Sequence, residues 1–175
     1  MATALPPKTL ADGKIKLAFV PTLKDPTKPT VTELKAGTDL SCRVLKSDFR
    51  LSATDSEKID DLAALCDETN PVVFGAANYE GTVSVFRWYN ASNPGTADTT
   101  GDVAFQALKN RGTVGFMVKR ETGKKYDADW AAGDEVEVYE VLTDNPQAPS
   151  DTGGYIRRTI PLGVQNAYLN AVVAA

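Results

Sequence analysis

Apolar and polar residues alternate with a period of two along several segments of the chain. The pattern is clear in residues 14–20 (KIKLAFV) and again in residues 134–142 (DEVEVYEVL). Successive side chains of a strand point to opposite faces, so this period predicts half-buried β-strands. Residues 72–89, 113–121 and 154–162 are rich in β-branched and aromatic residues and predict further strands.

Residues 41–51 (SCRVLKSDFRL) show the same alternation and predict another strand. Lys46, Asp48 and Arg50 fall on one face of it, which makes that face mostly polar. We interpret these three residues as the water-facing side of the strand, and Val83 and Val85 as core residues of a later strand. The polar run at residues 48–61 is interpreted as the end of this strand running into a polar connection, and not as an active site.

Only one segment has a clear helical period. Val103, Ala104, Ala107 and Leu108 recur at helical spacing, and Gly112 follows as a stop signal, which predicts a helix over about residues 102–110. Residues 52–69 fit either a short helix capped by Asp55 or Ser56, or an irregular connection.

Residues 21–36 and 90–101 are long loops by composition. Pro21, Pro26 and Pro29 interrupt any strand ladder in the first of them, and Asn, Pro and Gly dominate the second. The whole pattern predicts one mainly β (α+β) domain over residues 1–175, with six to eight strands, one flanking helix and long loops.

Composition narrows the function further. The chain has 175 residues, with 19 basic against 23 acidic residues and a net charge of −4, so tight binding to nucleic-acid phosphates is not expected. Histidine is absent, which excludes His-based triads and most zinc sites but leaves carboxylate or lysine chemistry open. No apolar run is long enough to span a bilayer and no secretory signal is evident, so we expect synthesis in a cytoplasm.

The remaining candidate chemistry is weak. Asp60–Asp61 and Asp67–Glu68 do not have the spacing of a calcium loop, and we interpret them as solvated charge. Cys42 and Cys66 could pair, but two cysteines in a cytosolic chain are more often reduced and partly buried. Trp88 and Tyr89 could form a stacking platform, although core or interface packing is favoured. No catalytic, cofactor or metal site is predicted.

Four segments of the chain are similar to segments of one known protein family and occur in the same order: SDFRLSATDSEKIDD, ALCDETNPVVFGAANYEGTVSVFRWY, WAAGDEVEVYEVLTDNPQ and GYIRRTIPLGVQNAYLNAVVA. Together they resemble the major tail proteins, or tail tube proteins, of long-tailed (siphovirus-type) bacteriophages that infect actinobacteria. The resemblance runs over most of residues 10–175. It is a likeness of the whole chain and not of a mechanistic motif.

The resemblance implies a non-enzymatic virion subunit with a β-sandwich or barrel fold, which self-assembles into stacked hexameric rings that form a hollow tail tube. Phage DNA would pass through the lumen without specific binding. The implied partners are further copies of the chain, a tape measure protein, a tail terminator and distal tail or baseplate proteins. Assembly would take place in the host cytoplasm, with no cofactor and no membrane.

Residue roles follow from the same resemblance as expectations. Residues 1–13, 21–36 and 90–101 become candidate arms between subunits, with possible inter-ring contacts at Pro21, Pro26, Pro29, Asn93 and Pro94. Lys46, Asp48 and Arg50 become candidate lumen residues. Deleting residues 21–30 is expected to leave a folded subunit that no longer stacks.

Two alternatives remain open. A tail terminator or head–tail connector would share much of the architecture and form rings that do not polymerise. A β-sandwich carbohydrate-binding module, using Trp88, Tyr89 and Trp130, is the alternative from a different class of protein.

Overall fold

The structure is a computed structural model, and it describes residues 5–59 and 63–175. The described chain contains two α-helices, α1 (Val31–Ala36) and α2 (Val103–Leu108), and a 3-10 helix at Lys46–Asp48. Its strands are β1 (Ile15–Val20), β2 (Thr38–Asp39), β3 (Arg50–Thr54), β4 (Lys58–Ile59), β5 (Val73–Phe74), β6 (Asn78–Phe86), β7 (Val114–Glu121), β8 (Glu135–Thr143) and β9 (Arg157–Val172).

Seven strands form one antiparallel sheet in the order β2-β1-β7-β8-β9-β6-β3. β4 and β5 pair only with each other and form a separate two-stranded ribbon. The prediction of a mainly β fold is confirmed, and the alternating segments at 14–20, 113–121 and 134–142 form β1, β7 and β8.

The large sheet packs a hydrophobic cluster against each of its faces. The first cluster includes Leu17, Val83, Val85, Met117 and Tyr139 and is covered by α2. Helix α2 contacts both β2 at one end of the sheet and β6 near the other end. The sheet is therefore curled around the first cluster like a partly open barrel, and α2 lies across the opening. The core positions predicted for Val83 and Val85 are confirmed, since both are fully buried.

The second cluster covers the outer face of β1, β7 and β8. It contains Leu23, Leu34, Val118, Trp130 and Val138. Because β1 has a cluster on each side, even Lys16 is buried, and its Nζ donates hydrogen bonds to the carbonyl oxygens of Tyr126 (3.1 Å) and Ala128 (3.0 Å). The half-buried strand predicted at residues 14–20 is thus a strand buried on both faces.

Helix α1 lies within the segment that the sequence predicts as a loop, residues 21–36. A capping box starts it: the Thr30 hydroxyl accepts a hydrogen bond from the Glu33 N–H, and the Glu33 carboxylate accepts one from the Thr30 N–H (2.8 Å). Leu34 then packs into the second cluster. The helix is too short to show a period, so its only sequence signal is the capping box.

The rest of this segment is fastened to its own domain. Leu23 is buried in the second cluster, and the Pro29 carbonyl accepts a hydrogen bond from the Ala174 N–H (2.9 Å). Residues 21–30 therefore contribute to the core, and the premise of the expected deletion, that this loop adds little to its own domain, is wrong.

Helix α2 lies inside the predicted range of 102–110. Asp102 precedes it, is fully buried, and accepts hydrogen bonds from Arg87 Nε (2.8 Å), from the Trp88 N–H (3.0 Å) and from Gln106 (2.8 Å). Burial alone would raise the pKa of Asp102, but these hydrogen bonds outweigh it and hold the pKa below its usual value. These hydrogen bonds join the start of α2 to the residues that follow β6.

The strand predicted at residues 41–51 is wrong over most of its length. The chain pairs with β6 at Val44–Val85, turns through the 3-10 helix Lys46–Asp48, and pairs with β6 again from Arg50–Thr82. The two contacts are six positions apart along this segment but only three apart along β6, so the surplus residues are forced out of the ladder. Alternating polarity cannot reveal such an insertion.

No helix in the described residues is both long enough and apolar enough to cross a membrane.

Candidate functional site

Residues 55–77 form a hairpin that extends from the large sheet, here called the arm; the structure describes 55–59 and 63–77 of it. Hydrogen bonds close its base, from the Glu57 N–H to the Ala76 carbonyl (3.0 Å) and from the Gly75 N–H to the Glu57 carbonyl (2.8 Å). β4 and β5 continue the pairing outward. Every described residue from Glu57 to Asn78 is exposed. The arm is therefore a projection that its own domain does not cover.

The arm carries apolar side chains that no core receives. Phe74 is 67% exposed and Leu65 is fully exposed, and Ile59, Val72 and Val73 are each about half exposed. Single exposed apolar residues are ordinary, but several of them on one projecting ribbon are typical of a protein–protein contact. An isolated two-stranded ribbon is also marginally stable in water, so a partner would stabilise it.

The sequence of the arm is strongly acidic. By sequence, residues 55–77 hold six acidic residues and one lysine, a charge of −5, while the whole chain has −4; the remaining residues therefore sum to +1. Residues 126–148 are also strongly acidic, with seven acidic residues and no basic one, so the negative charge is not confined to the arm.

A groove of about 190 Å³ lies on another part of the surface, beside β1 and residues 40–49. Leu17 and Leu40, both members of the first core cluster, form its floor. Ile15, Val44, Phe49 and Tyr126 line it as well. The groove thus opens onto the core and presents apolar atoms to solvent.

The large sheet has unpaired margins among the described residues. β6 pairs with β9 only as far as Gly81–Leu162, and from Gly163 to Ala171 the described structure pairs β9 with β8 alone. β3 pairs only with β6 and ends the sheet on that side. Unpaired strand edges are templates for a further strand.

The predicted water-facing residues are exposed, but they do not share a strand face. Lys46 and Asp48 lie in the 3-10 helix, and Arg50 begins β3. Lys46 pairs with Asp12, and Arg50 pairs with Glu80. Asp48 accepts a hydrogen bond from the Ser84 hydroxyl (3.2 Å). Their charges are therefore largely matched within the domain.

The predicted inter-ring residues separate into two groups. Pro21, Asn93 and Pro94 are exposed, whereas Pro26 is partly covered and Pro29 is buried. Because Pro29 is buried and its carbonyl accepts a hydrogen bond from the Ala174 N–H, the single subunit leaves little of its ring for a contact between rings. In residues 90–101, the Asn90 side chain accepts hydrogen bonds from the N–H groups of Ser92 and Asn93, so this loop is a compact turn and not an extended arm.

The aromatic residues considered for carbohydrate stacking do not form one platform. Trp130 is buried in the second cluster, with Lys16 Nζ 5.4 Å from its ring centroid. Trp88 packs against Gly101 and Phe86. Tyr89 alone is exposed, with the Arg87 guanidinium 5.1 Å from its ring.

Both cysteines are free and exposed, Cys42 at the groove and Cys66 on the arm, so the expected partial burial is wrong. Asp67 and Glu68 are also exposed on the arm. Asp60 and Asp61, considered with them as metal ligands, lie outside the described residues, as do residues 1–4 of the predicted N-terminal arm.

Sequence reasoning missed the arm and the groove. The sequence predicts residues 72–74 (Val-Val-Phe) only as part of a strand, because an apolar run looks the same whether it meets its own core or a partner. The acidic run beside it does not separate the two cases, since the core strand β8 itself contains three glutamates. The groove has no sequence signal, because its lining comes from three separate segments.

Comparison with known proteins gives one family. A family model described as "Phage tail tube protein" matches residues 2–175. Among solved structures, a chain of the anti-feeding prophage baseplate, determined by cryo-EM with six-fold symmetry imposed, is 14% identical, with 95% of each chain covered and a TM-score of 0.46. No curated protein matches the sequence.

Proposed function

This chain belongs to the phage tail tube protein family, and from that premise we propose that it polymerises into the tail tube itself, as hexameric rings stacked around a channel for DNA. Membership makes it a structural component of the virion. The hexameric ring, the stacking and the passage of DNA are the proposed part. Further copies of the chain, a tape measure protein, a terminator and distal tail proteins are the proposed partners.

The observation that carries this proposal is the arm. Its apolar residues, Phe74 foremost, are exposed in the single subunit although a covered alternative would stabilise them. In a protein that remains monomeric, these apolar side chains would stay in water and would not stabilise the fold. A subunit that polymerises would cover it in every copy except those at the ends.

The sheet margins support ring formation. β3 and the Gly163–Ala171 part of β9 offer backbone N–H and C=O groups that a strand of the next subunit could pair. Repeating that contact around a symmetry axis would close a ring and remove the edges. The exposed residues Pro21, Asn93 and Pro94 remain candidates for contacts between rings.

Lys46, Asp48 and Arg50 remain candidates for the lumen wall. The pairing of Lys46 with Asp12 and of Arg50 with Glu80 gives these positions little net charge. A wall of matched charges would bind DNA phosphates weakly, which suits a channel through which DNA moves.

The test replaces the arm. Thr54 and Asn78 are cross-strand partners, so residues 55–77 can be exchanged for a two-residue Asn-Gly turn that joins β3 to β6. We expect this variant to fold with an unchanged far-UV CD spectrum, because the arm adds nothing to either core cluster. Negative-stain microscopy should show long tubes for the natural chain and none for the variant.

Other results would redirect the assignment. Isolated rings from the natural chain would indicate a terminator or connector, and monomers with saturable glycan binding would indicate a carbohydrate-binding module. Tubes of normal length and yield from the armless variant would show that the arm has no part in polymerisation.

A further inference from the structure

We propose that the arm of one copy docks into the groove of a second copy, with the Phe74 ring entering between Ile15, Phe49 and Tyr126. This rests on the self-assembly proposed above and names the surfaces that would carry it. The occupant of the groove is thus a further copy of this chain, and the contact joins two different surfaces of the same subunit.

The arm requires an apolar partner on both of its faces. Lys58 is the cross-strand partner of Phe74, and Ile59 is the partner of Val73, so the two pairs lie on opposite faces of the ribbon. A ribbon of two strands cannot bury either face against itself. Phe74 is the largest and most exposed side chain of these strands and is the natural anchor of a contact.

The groove suits one aromatic ring. Its volume of about 190 Å³ exceeds the ~150 Å³ at which an apolar cavity is known to hold benzene. Leu17 and Leu40 supply an aliphatic floor, and Phe49 and Tyr126 can meet an entering ring edge to face. Filling it would remove apolar atoms of both copies from water.

The charges of the two surfaces are complementary. The arm has a net charge of −5 by sequence. The two segments that supply most of the groove are residues 11–17 and 40–49. Without Lys16, which is buried on the opposite face of β1, they hold three basic and two acidic residues, a net charge of +1. Lys46 is the one charged residue of the lining, and it pairs with Asp12. Opposite charge would steer the arm towards the groove and would disfavour contact between two arms.

The geometry of the contact explains how an assembly of many copies could grow. Arm and groove are separate surfaces, so each copy that inserts its arm still offers a free groove. Such a head-to-tail contact produces closed rings or open filaments, except where two copies exchange arms about a two-fold axis. This is the behaviour that a tube subunit requires.

The direct test is photocrosslinking from the anchor position. The photoreactive residue p-benzoylphenylalanine replaces Phe74, and tubes formed by this protein are irradiated. We expect crosslinks between chains to residues 11–17, 40–49 or Tyr126. Tubes that crosslink only to other regions, or only within one chain, overturn the docking while the proposed function stands. Failure of the natural chain to form tubes would instead overturn the proposed function.

A mixing experiment tests whether the contact is head to tail. Phe74→Ser removes the anchor, and Cys42→Trp blocks the groove from its exposed rim. We expect each variant to need about ten times the natural concentration to assemble, which corresponds to about 1.4 kcal/mol per contact. Below that concentration, a mixture of the two should give one-to-one dimers, because one intact arm still meets one intact groove.

The matched controls are Phe74→Leu, which keeps an apolar anchor, and Cys42→Ser, which leaves the groove open; both should assemble near the natural concentration. Unchanged thermal unfolding of all four variants would show that the domain is intact. Assembly of Phe74→Ser at the natural concentration, or a mixture without dimers, would overturn the docking.

Discussion

The buried carboxylate of Asp102 offers the sharpest test of how this domain is held together. It accepts two hydrogen bonds from the Arg87 guanidinium, at 2.8 and 3.1 Å, and further ones from the Trp88 N–H and the Gln106 side chain. Arg87 is only 11% exposed and Asp102 is not exposed at all. Asp102→Ala would therefore leave a guanidinium without its counter-charge in a site that water hardly reaches.

The magnitude follows from what remains after the substitution. Breaking a buried ion pair from one side costs about 3–5 kcal/mol, because the other charge stays desolvated. The Arg87 guanidinium also lies 3.8 Å from the Phe105 ring centroid, so it cannot simply turn to solvent without losing that contact. We expect Asp102→Ala to lower the free energy of unfolding by about 4 kcal/mol, within the range of 3–5.

Urea unfolding of the armless variant, which we expect to remain monomeric, measures this without interference from assembly. With a slope of roughly 2 kcal/mol per molar urea, the midpoint should fall by about 2 M. Asp102→Asn keeps one acceptor oxygen and the shape of the side chain, and should lose less. A loss below about 1 kcal/mol for Asp102→Ala would refute the account, since it would place the pair in the range of exposed ion pairs.

Three further predictions concern the same domain. The folded-state pKa of Asp102 is held below its usual 3.8, so the stability that its carboxylate contributes is fully present above that pH and is lost as the pH falls through the folded-state pKa. In an acid titration followed by CD, the natural chain should lose folded structure more steeply below about pH 4 than Asp102→Asn does. Equal slopes for the two proteins would contradict this. Leu23→Ala should lower the free energy of unfolding by about 2–5 kcal/mol because Leu23 is buried in the second cluster. The control Pro21→Ala, at an exposed position, should change it by less than about 0.5 kcal/mol. Equally small losses for both variants in urea unfolding would show that residues 21–30 contribute little to the core. Gly115→Ala would place a Cβ 2.5 Å from the Phe19 ring and should lower the free energy of unfolding by about 1–3 kcal/mol. The control is Gly123→Ala, whose Cβ would meet no atom within 4 Å. Equal thermal melts of the two variants would show that Phe19 can move away.

Local patterns predicted the elements that a single period can describe. The alternation in β1, β7 and β8 and the spacing of Val103, Ala104, Ala107 and Leu108 in α2 are properties of neighbouring residues, and the structure confirms them. The likeness to tail tube proteins also needed only the order of residues, and the family match over residues 2–175 confirms it. Host, ring symmetry and stacking are not encoded in such local patterns.

The errors share one cause. The alternation at 41–51 is real, but the spacing of contacts on β6 leaves surplus residues that turn into a 3-10 helix. The prolines of residues 21–30 indicate a loop, yet Leu23 within it reaches the second cluster. In each case the outcome depends on a partner segment far along the chain, and no local period can report that partner.

What the sequence by itself determined is the fold class, the position of most strands and the family, because these follow from short-range polarity and from residue order. What only the tertiary structure decided is which apolar residues have a core and which do not. Val83 and Phe74 are both apolar residues of predicted strands, yet one is fully buried and the other is 67% exposed. The difference is that β6 lies inside the large sheet, whereas β5 pairs with β4 alone, and burial is a property of what surrounds a strand.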